Sequence, residues 1–316
     1  MKTIILAAWG WTRLFPFTTY KAKPFVNILG KPIIEYILES VYEFSDEFFI
    51  TIKYFKDDCK KYFWENYKGK KITYIEQWKE KWTAAALYNL DYNYFAWEKI
   101  IIMNWDNIIN KNDLKNLIGY IKYYWCLAKF SNSPKNHWVL KIWYNHNILW
   151  VVEKPSRFMW NLVNWWVYIV NNDIIKIAQN VKLSERWEYE ITDAINIFMT
   201  KNIFDFYEIK NIYFHITTPF DIYKTWMYFL RKSKKFNYFS EYKHINLTWK
   251  NYIWKLCTIW NNVTINNCII NEWVHIWDNS ILNNCLIWEK SYIWENFKFD
   301  SDKIKIFWPH SYINQK

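Results

Sequence analysis

Three stretches place backbone or charge directly after apolar runs, where work on a polyanion could be done. The first is Leu6-Ala7-Ala8-Trp9-Gly10-Trp11-Thr12-Arg13, with Lys23-Pro24 further on. A strand that opens into a loop brings N–H groups against phosphate only where the backbone is bare. Indoles at 9 and 11 would fill that space. The second is Asn104-Trp105-Asp106, after the apolar residues 100–103, and the third is Glu153-Lys154-Pro155, after residues 148–152. Taken singly these are ordinary: Arg13 and Lys23 read as surface cations, Asp106 as a strand-end helix cap, and Glu153-Lys154-Pro155 as a turn. His137, His146, His244, His275 and His310 form no HxxxH or HExxH spacing and carry no assigned role. Five cysteines without a CxxC pair read as reduced core thiols rather than a disulfide frame or zinc site.

The elements that would position these stretches are legible. Residues 3–8, 48–54, 100–103 and 148–152 are short apolar runs with polar bounds, the pattern of buried parallel strands. Helical patterns lie between them, as in residues 32–41 with Pro32 at a first turn. Such alternation predicts a doubly wound α/β domain whose ligand sits at the carboxyl ends of the strands. A helical segment over 219–235 and a polar, aromatic-rich connection to about residue 250 follow. Beyond it, Ile253-Trp254, Ile259-Trp260, Ile276-Trp277, Ile287-Trp288 and Ile293-Trp294 recur at spacings of 6, 17, 11 and 6. This hexapeptide rhythm predicts a β-helix in which each Ile stacks on its counterpart one coil away. The residue after each Ile would then fall at a corner favouring glycine, and Cys268 and Cys285 would fill small inward positions.

Composition bounds the rest. No apolar run reaches the roughly 18 residues of a membrane helix, and the apolar start lacks a basic leader region, so a cytoplasmic protein with no membrane partner is expected. A net charge of +11 suits an anionic partner or lysines spread over solvated faces. No Lys/Arg block is dense enough for a nucleic-acid stripe, so no nucleic-acid partner is expected. The chain holds 24 Trp and only 4 Gly, too few glycines for the turns of an α/β domain. Together the two make about one residue in eleven, close to the ordinary glycine content of about 7%. With its wealth of Asn, Ile, Lys, Tyr and Phe, the chain reads as the product of AT-rich codons in which UGA means glycine but is written as Trp. The competing reading is a genuinely Trp-rich protein whose indoles stack on sugars or bases.

With glycine at 9 and 11 the first stretch becomes LAAGGGTRLFPFT…KP. It resembles LAAGxGTRLxPxT…PKP of the sugar nucleotidyltransferase family, with Ala22 where Pro often precedes the Lys. The resemblance continues in order: Gln77 with Trp82-Thr83-Ala84 to Q-x4-GTA, Asn104-Trp105-Asp106 to NGD, Trp138-Val139 to Gly-Val, and Glu153-Lys154-Pro155 to EKP. Asn164-Trp165-Trp166-Val167-Tyr168 resembles N-x-G-x-Y, and residues 187–193 resemble G-x-x-E-[LI]-T-D. Ile216-Thr217-Thr218-Pro219-Phe220-Asp221 resembles DI-x-TP-x-D, but His215 stands where many members carry a second metal-binding Asp. Trp falls on family glycines at 9, 82, 105, 138 and 187.

The resemblance covers roughly residues 1–300 and implies a Rossmann-like nucleotidyltransferase domain (1–235), a linker (236–250), a short left-handed β-helix (251–298) of about two to three coils, and a tail (299–316). It implies transfer from a nucleoside triphosphate to a sugar 1-phosphate, releasing pyrophosphate. Leu6, Ala7, Ala8, Trp9, Gly10, Trp11, Thr12, Gln77, Trp82 and Thr83 would contact nucleotide. Trp138, Glu153, Lys154 and Asn164 would hold the sugar phosphate. Arg13 would neutralise the leaving pyrophosphate and Lys23 the α-phosphate region, with Asp106 holding Mg²⁺. Gln77 and Asn164 lean toward UTP with N-acetylglucosamine 1-phosphate or glucose 1-phosphate. The alternatives are a dTTP-dependent glucose-1-phosphate thymidylyltransferase and a non-catalytic nucleotide-sugar-binding regulatory homologue. A homo-oligomer is expected.

Overall fold

The computed structural model describes residues 1–8, 14, 23–53, 56–77, 83–96, 98–119, 123–143, 147–184, 187–232, 244–248, 251–254 and 256–314. The chain divides into two compact units, Met1–Gly10 with Ile33–His215, and Trp11–Pro32 with Ile216–Lys316.

In the first unit β1 (Lys2–Leu6), β2 (Glu47–Ile52), β3 (Lys70–Glu76) and β4 (Lys99–Asn104) run parallel in the order β4-β1-β2-β3. Their runs are apolar because both faces are covered: every residue of β2 and Ile100–Met103 of β4 are buried. Helices α1 (Ile33–Val41), α2 (Lys56–Phe63) and α3 (Lys111–Gly119) belong to this alternation. The chain then adds β5 (Asn107–Ile108), β6 (Tyr124–Phe130), β7 (Trp138–Ile142), β8 (Ile148–Glu153) and β9 (Leu162–Asn171). Next come α4 (Asp173–Gln179), α5 (Ile191–Met199), β10 (Phe204–Glu208) and β11 (Phe214–His215). The long β9 lies antiparallel to β4 and also pairs β6 and β7, giving a mixed Rossmann-like sheet.

One expected strand differs in kind. Residues 148–153 form no parallel strand but an antiparallel hairpin with β7, closed by a Trp143 N–H donating to the Asn147 carbonyl at 2.8 Å. Leu149 and Trp150 are exposed at this sheet edge. Apolar content alone cannot separate a buried parallel strand from an edge hairpin.

In the second unit, three four-stranded parallel sheets stack as the faces of a β-helix. Ile259, Ile276, Ile293 and Ile313 lie in register on one face, and Ile253, Ile270 and Ile287 on another. Ile253, Ile270, Ile276, Ile287 and Ile293 point into a core shared with Cys268 and Cys285, so the expected isoleucine stacking is present. Strands occupy Ile245–Thr248 and run on to Tyr312–Ile313, beyond 251–298 on both sides. Helix α6 (Pro219–Lys232) packs within this unit. Trp226 lies 5.4 Å from the Tyr252 ring and 6.1 Å from that of Trp288, and the Tyr223 hydroxyl donates to the Asn267 carbonyl at 3.1 Å. Its start is a capping box: Thr218 N donates to the Asp221 carboxylate at 2.8 Å, and Asp221 N to Thr218 Oγ1 at 3.3 Å.

The corners correct one expectation. Left-handed φ falls not at the tryptophans of the Ile-Trp pairs but at Asn262, Asn267, Asn279, Asn284 and Asn296, with Lys290, His310 and Trp273. Asparagine tolerates this region because its short amide can hydrogen-bond locally. Four tryptophans do adopt it, namely Trp64 (φ 55), Trp166 (φ 54), Trp187 (φ 60) and Trp273 (φ 60). Trp166 sits where the β9–β6 register slips between Asn164 and Tyr168, a bulge of the kind that takes a left-handed glycine. Trp64 and Trp187 are 76% and 80% exposed, so burial of the indole does not compensate.

Candidate active site

The carboxyl ends of β1 and β4 form the centre of the first unit's site. Leu6 pairs with Asn104, Trp105 N donates to the Leu6 carbonyl at 3.4 Å, and Ala7 N reaches the Thr51 carbonyl at 3.1 Å. The chain after Ala8 and the turn at Asp106 therefore leave from neighbouring strands. Trp9, Gly10, Trp11, Thr12, Arg13 and Trp82 lie outside the described residues. Lys23 opens the short turn Lys23–Phe25 in the unit that holds the β-helix.

Asp106 turns inward. Its Oδ1 is buried and makes no hydrogen bond among the described residues, while Oδ2 lies 3.6 Å from His215 Nε2. The side chains are 18% and 26% exposed respectively, so both remain reachable. His215 is brought there by backbone pairing, since β11 runs antiparallel to β5 with His215 opposite Asn107. The Trp165 ring stands edge-on to the imidazole at 5.7 Å and to Tyr213 at 4.6 Å. The approach to β11 is fastened by Asp113, fully buried in α3, which accepts from Lys210 N, Asn211 N and Asn211 Nδ2 at 3.0–3.1 Å. Asp113→Ala removes the buried acceptor of three part-buried hydrogen bonds and should lower unfolding stability by about 1–3 kcal/mol. Denaturant titration checks this; a loss below about 0.5 kcal/mol would remove Asp113 from the argument.

A divalent ion fits here only as a shared guest. No three His, Cys, Asp or Glu side chains converge among the described residues. Asp106 offers a hard carboxylate with one buried oxygen uncommitted. Mg²⁺ keeps several waters and takes phosphate oxygens with one or two carboxylates, so Asp106 suits it, whereas the imidazole of His215 is a poor ligand for that ion.

The second group lies along the β7–β8 hairpin. Trp138 pairs with Glu153, and Lys154 N donates to the His137 carbonyl at 3.0 Å. Lys154 has φ 40, a conformation rare outside glycine, and its ammonium sits 3.8 Å from Glu153 Oε1 and 5.1 Å over the Trp138 ring. Burial holds the His137 imidazole below its usual range, and the nearby His215 acts in the same direction. Asn164 is buried, with its Nδ2 donating to the Tyr168 hydroxyl at 2.5 Å and its Oδ1 accepting from Trp166 N at 3.3 Å. Gln77 is buried at the end of β3, its N–H on the Ile52 carbonyl. Thr83 Oγ1 accepts from Ile191 N at 2.8 Å, joining its loop to the first turn of α5. Sequence reasoning did not find the Thr83 tie, Asp113 or the Trp165–Tyr213 wall around His215, because each spans more than 45 residues or depends on ring packing.

A mixed Rossmann-like sheet with Asp106 just past the end of a central strand, in a chain that also forms a parallel β-helix, defines the class: an α/β protein with a β-helix module. The chain belongs to the nucleotidyl transferase family, whose model matches residues 2–249. It is 30% identical over 237 residues to the bifunctional protein GlmU of Methanococcus vannielii, covering 73% of this chain and 55% of that one. It is 33% identical to a bifunctional sugar-1-phosphate nucleotidylyltransferase/acetyltransferase of Sulfurisphaera tokodaii, covering 70% and 54%. The chain thus spans about half the length of these curated relatives. The UTP–glucose-1-phosphate uridylyltransferase AglF of Haloferax volcanii is 28% identical over 62% of this chain and 83% of its own. In fold, the chain is similar to a UDP-glucose pyrophosphorylase crystallised with UDP-glucose, at a TM-score of 0.66 and 19% identity over 73% of this chain and 99% of that one. No helix among the described residues is long and apolar enough to cross a membrane.

Proposed function

We propose that the chain transfers a nucleotidyl group from a nucleoside triphosphate to a sugar 1-phosphate, giving a nucleotide-diphosphate sugar and pyrophosphate. The observation that carries this is the buried, uncommitted Oδ1 of Asp106 at the strand end beside the chain leaving β1. Asp106 would hold Mg²⁺, which when bound supplies charge neutralisation for the triphosphate. The sugar phosphate is already an anion, so no general base is needed, and the protein's task is to position two polyanions and offset their charge. Arg13 and Lys23 serve the triphosphate, with the backbone of Leu6, Ala7, Ala8 and residues 9–12. Gln77, Trp82 and Thr83 are assigned to recognition of the base. Lys154 takes the sugar's phosphate, and Glu153, Asn164 and the position of Trp138 its hydroxyl or acetamido groups.

The preferred pair is UTP with N-acetylglucosamine 1-phosphate or glucose 1-phosphate. The test is pyrophosphate release with each triphosphate and each sugar phosphate. Preference for dTTP with glucose 1-phosphate would give the thymidylyltransferase alternative. Nucleotide-sugar binding without any release, on folded protein, would give the regulatory one. Lys154→Ala should raise KM for the sugar phosphate at least about tenfold, through loss of a charge-assisted contact, while KM for the triphosphate stays near its original value. Equal rises in both would remove Lys154 from the sugar side.

We infer also that most of the tryptophans are glycines in the protein its gene encodes. The left-handed backbone at Trp64, Trp166, Trp187 and Trp273 supports this, and so does the coincidence of Trp166 and Trp187 with family glycines. In the Ile-Trp pairs, where tryptophan has no such φ, composition alone carries the reading.

A further inference from the structure

We propose that His215 makes the metal position at Asp106 a mixed nitrogen–oxygen site, selecting a first-row transition ion of the Mn²⁺ or Co²⁺ type over Mg²⁺. The proposal rests on the nucleotidyl-transfer reading only for the use of the site; the juxtaposition stands on geometry. His215 Nε2 and Asp106 Oδ2 are 3.6 Å apart, too far for a hydrogen bond. Adjacent ligands of an octahedral ion at about 2.1 Å lie about 3 Å apart, so a small side-chain adjustment seats one ion between them. Asp106 Oδ1, buried and without a hydrogen bond among the described residues, leaves the carboxylate able to turn. The imidazole, by contrast, is held by its surroundings. Pairing of β11 with β5 sets its backbone, and Asp113 fastens residues 210 and 211 upstream.

A second carboxylate here would give two hard oxygens and two negative charges, which favours Mg²⁺. An imidazole gives one fewer charge and a borderline nitrogen donor. Mg²⁺ sheds water reluctantly for nitrogen, whereas imidazole suits the transition ions. The site would then bind Mn²⁺ or Co²⁺ through one carboxylate, one imidazole and the oxygens of triphosphate and water.

The test uses the full chain, carrying at its tryptophan positions whichever residue its gene specifies, with Mn²⁺ itself as probe. Loss of the free-ion electron paramagnetic resonance signal gives the Mn²⁺ affinity, and competition with Mg²⁺ gives the ratio between them. Pulsed measurement reports whether a nitrogen nucleus couples to the bound ion. The expected result is nitrogen coupling in the parent chain that disappears in both His215→Ala and His215→Asp. The Mn²⁺-to-Mg²⁺ preference should fall by about tenfold or more in His215→Asp, chiefly because Mg²⁺ binds more tightly. Circular dichroism of both variants separates misfolding from ligand loss, and the aspartate variant keeps the question answerable if the alanine one unfolds. Bound Mn²⁺ without nitrogen coupling, or an unchanged ion preference in His215→Asp, would overturn the proposal even if pyrophosphate is released. Nitrogen coupling with no pyrophosphate release under either ion would sustain the metal site and overturn the transferase reading.

Discussion

Asp106→Asn should abolish nucleotidyl transfer while leaving the fold intact. The exchange is isosteric, and Oδ1 makes no hydrogen bond among the described residues, so none of its bonds to them is broken. What is lost is a full negative charge at the end of β4, where a divalent ion and the triphosphate must meet. Several kcal/mol of transition-state stabilisation depend on such a charge, on the order of a thousandfold or more in rate. Pyrophosphate release at saturating substrates measures the loss, and dependence on added metal should vanish with it. Retention of a tenth of the activity would place the metal elsewhere, whereas a large fall in unfolding stability would mean that Asp106 is structural.

The second large effect is expected from glycine in place of tryptophan. A non-glycine residue in the left-handed region costs about 1–2 kcal/mol, and four tryptophans at 64, 166, 187 and 273 adopt it. The sites belong to separate turns and a bulge, so their costs add approximately. Relieving the three exposed sites, 64, 187 and 273, should raise stability by about 1–4 kcal/mol once glycine's greater unfolded freedom is set against the strain. Trp166, by contrast, is buried in the core, and its removal also leaves a cavity that offsets the relief. Denaturant unfolding of the chain as written, beside chains with glycine at 64, 187 and 273 alone and at all four sites, gives the difference directly. The coding DNA should carry UGA at 9, 11, 82 and 105 as well as at these four sites, and finding UGG there would defeat the reading. Activity should need glycine at 9 and 11 in addition, since the indoles would stand where backbone N–H groups must approach phosphate.

Several features of this protein follow from local pattern alone. Apolar runs placed β1, β2 and β4 within a residue or two of their observed ends, because a buried parallel strand is apolar on both faces. The six-residue rhythm of isoleucine foretold the stacked β-helix core, since each coil repeats the same three turns. Spacing also brought Asn104-Trp105-Asp106 to a strand end, where β4 stops at Asn104. The hairpin character of residues 148–153 was not readable, because strand direction depends on the partner and not on the strand. The corner positions were misplaced for a related reason: Asn and Gly both take left-handed φ, and composition does not say which column turns.

The pairing of Asp106 with His215 lies beyond any local pattern. It needs β5 to find β11 more than a hundred residues later, with the register that sets His215 opposite Asn107. The assignment of α6 was likewise tertiary. Its amphipathic stripe announces only that something covers it, and the β-helix face at Tyr252 and Trp288 decides what. Sequence by itself determined which elements form and which residues stand at their ends, because propensity and periodicity act over a few neighbours. Tertiary structure alone decided which ends meet, because that is set by long-range register and packing, where one residue of slip turns a side chain to the opposite face.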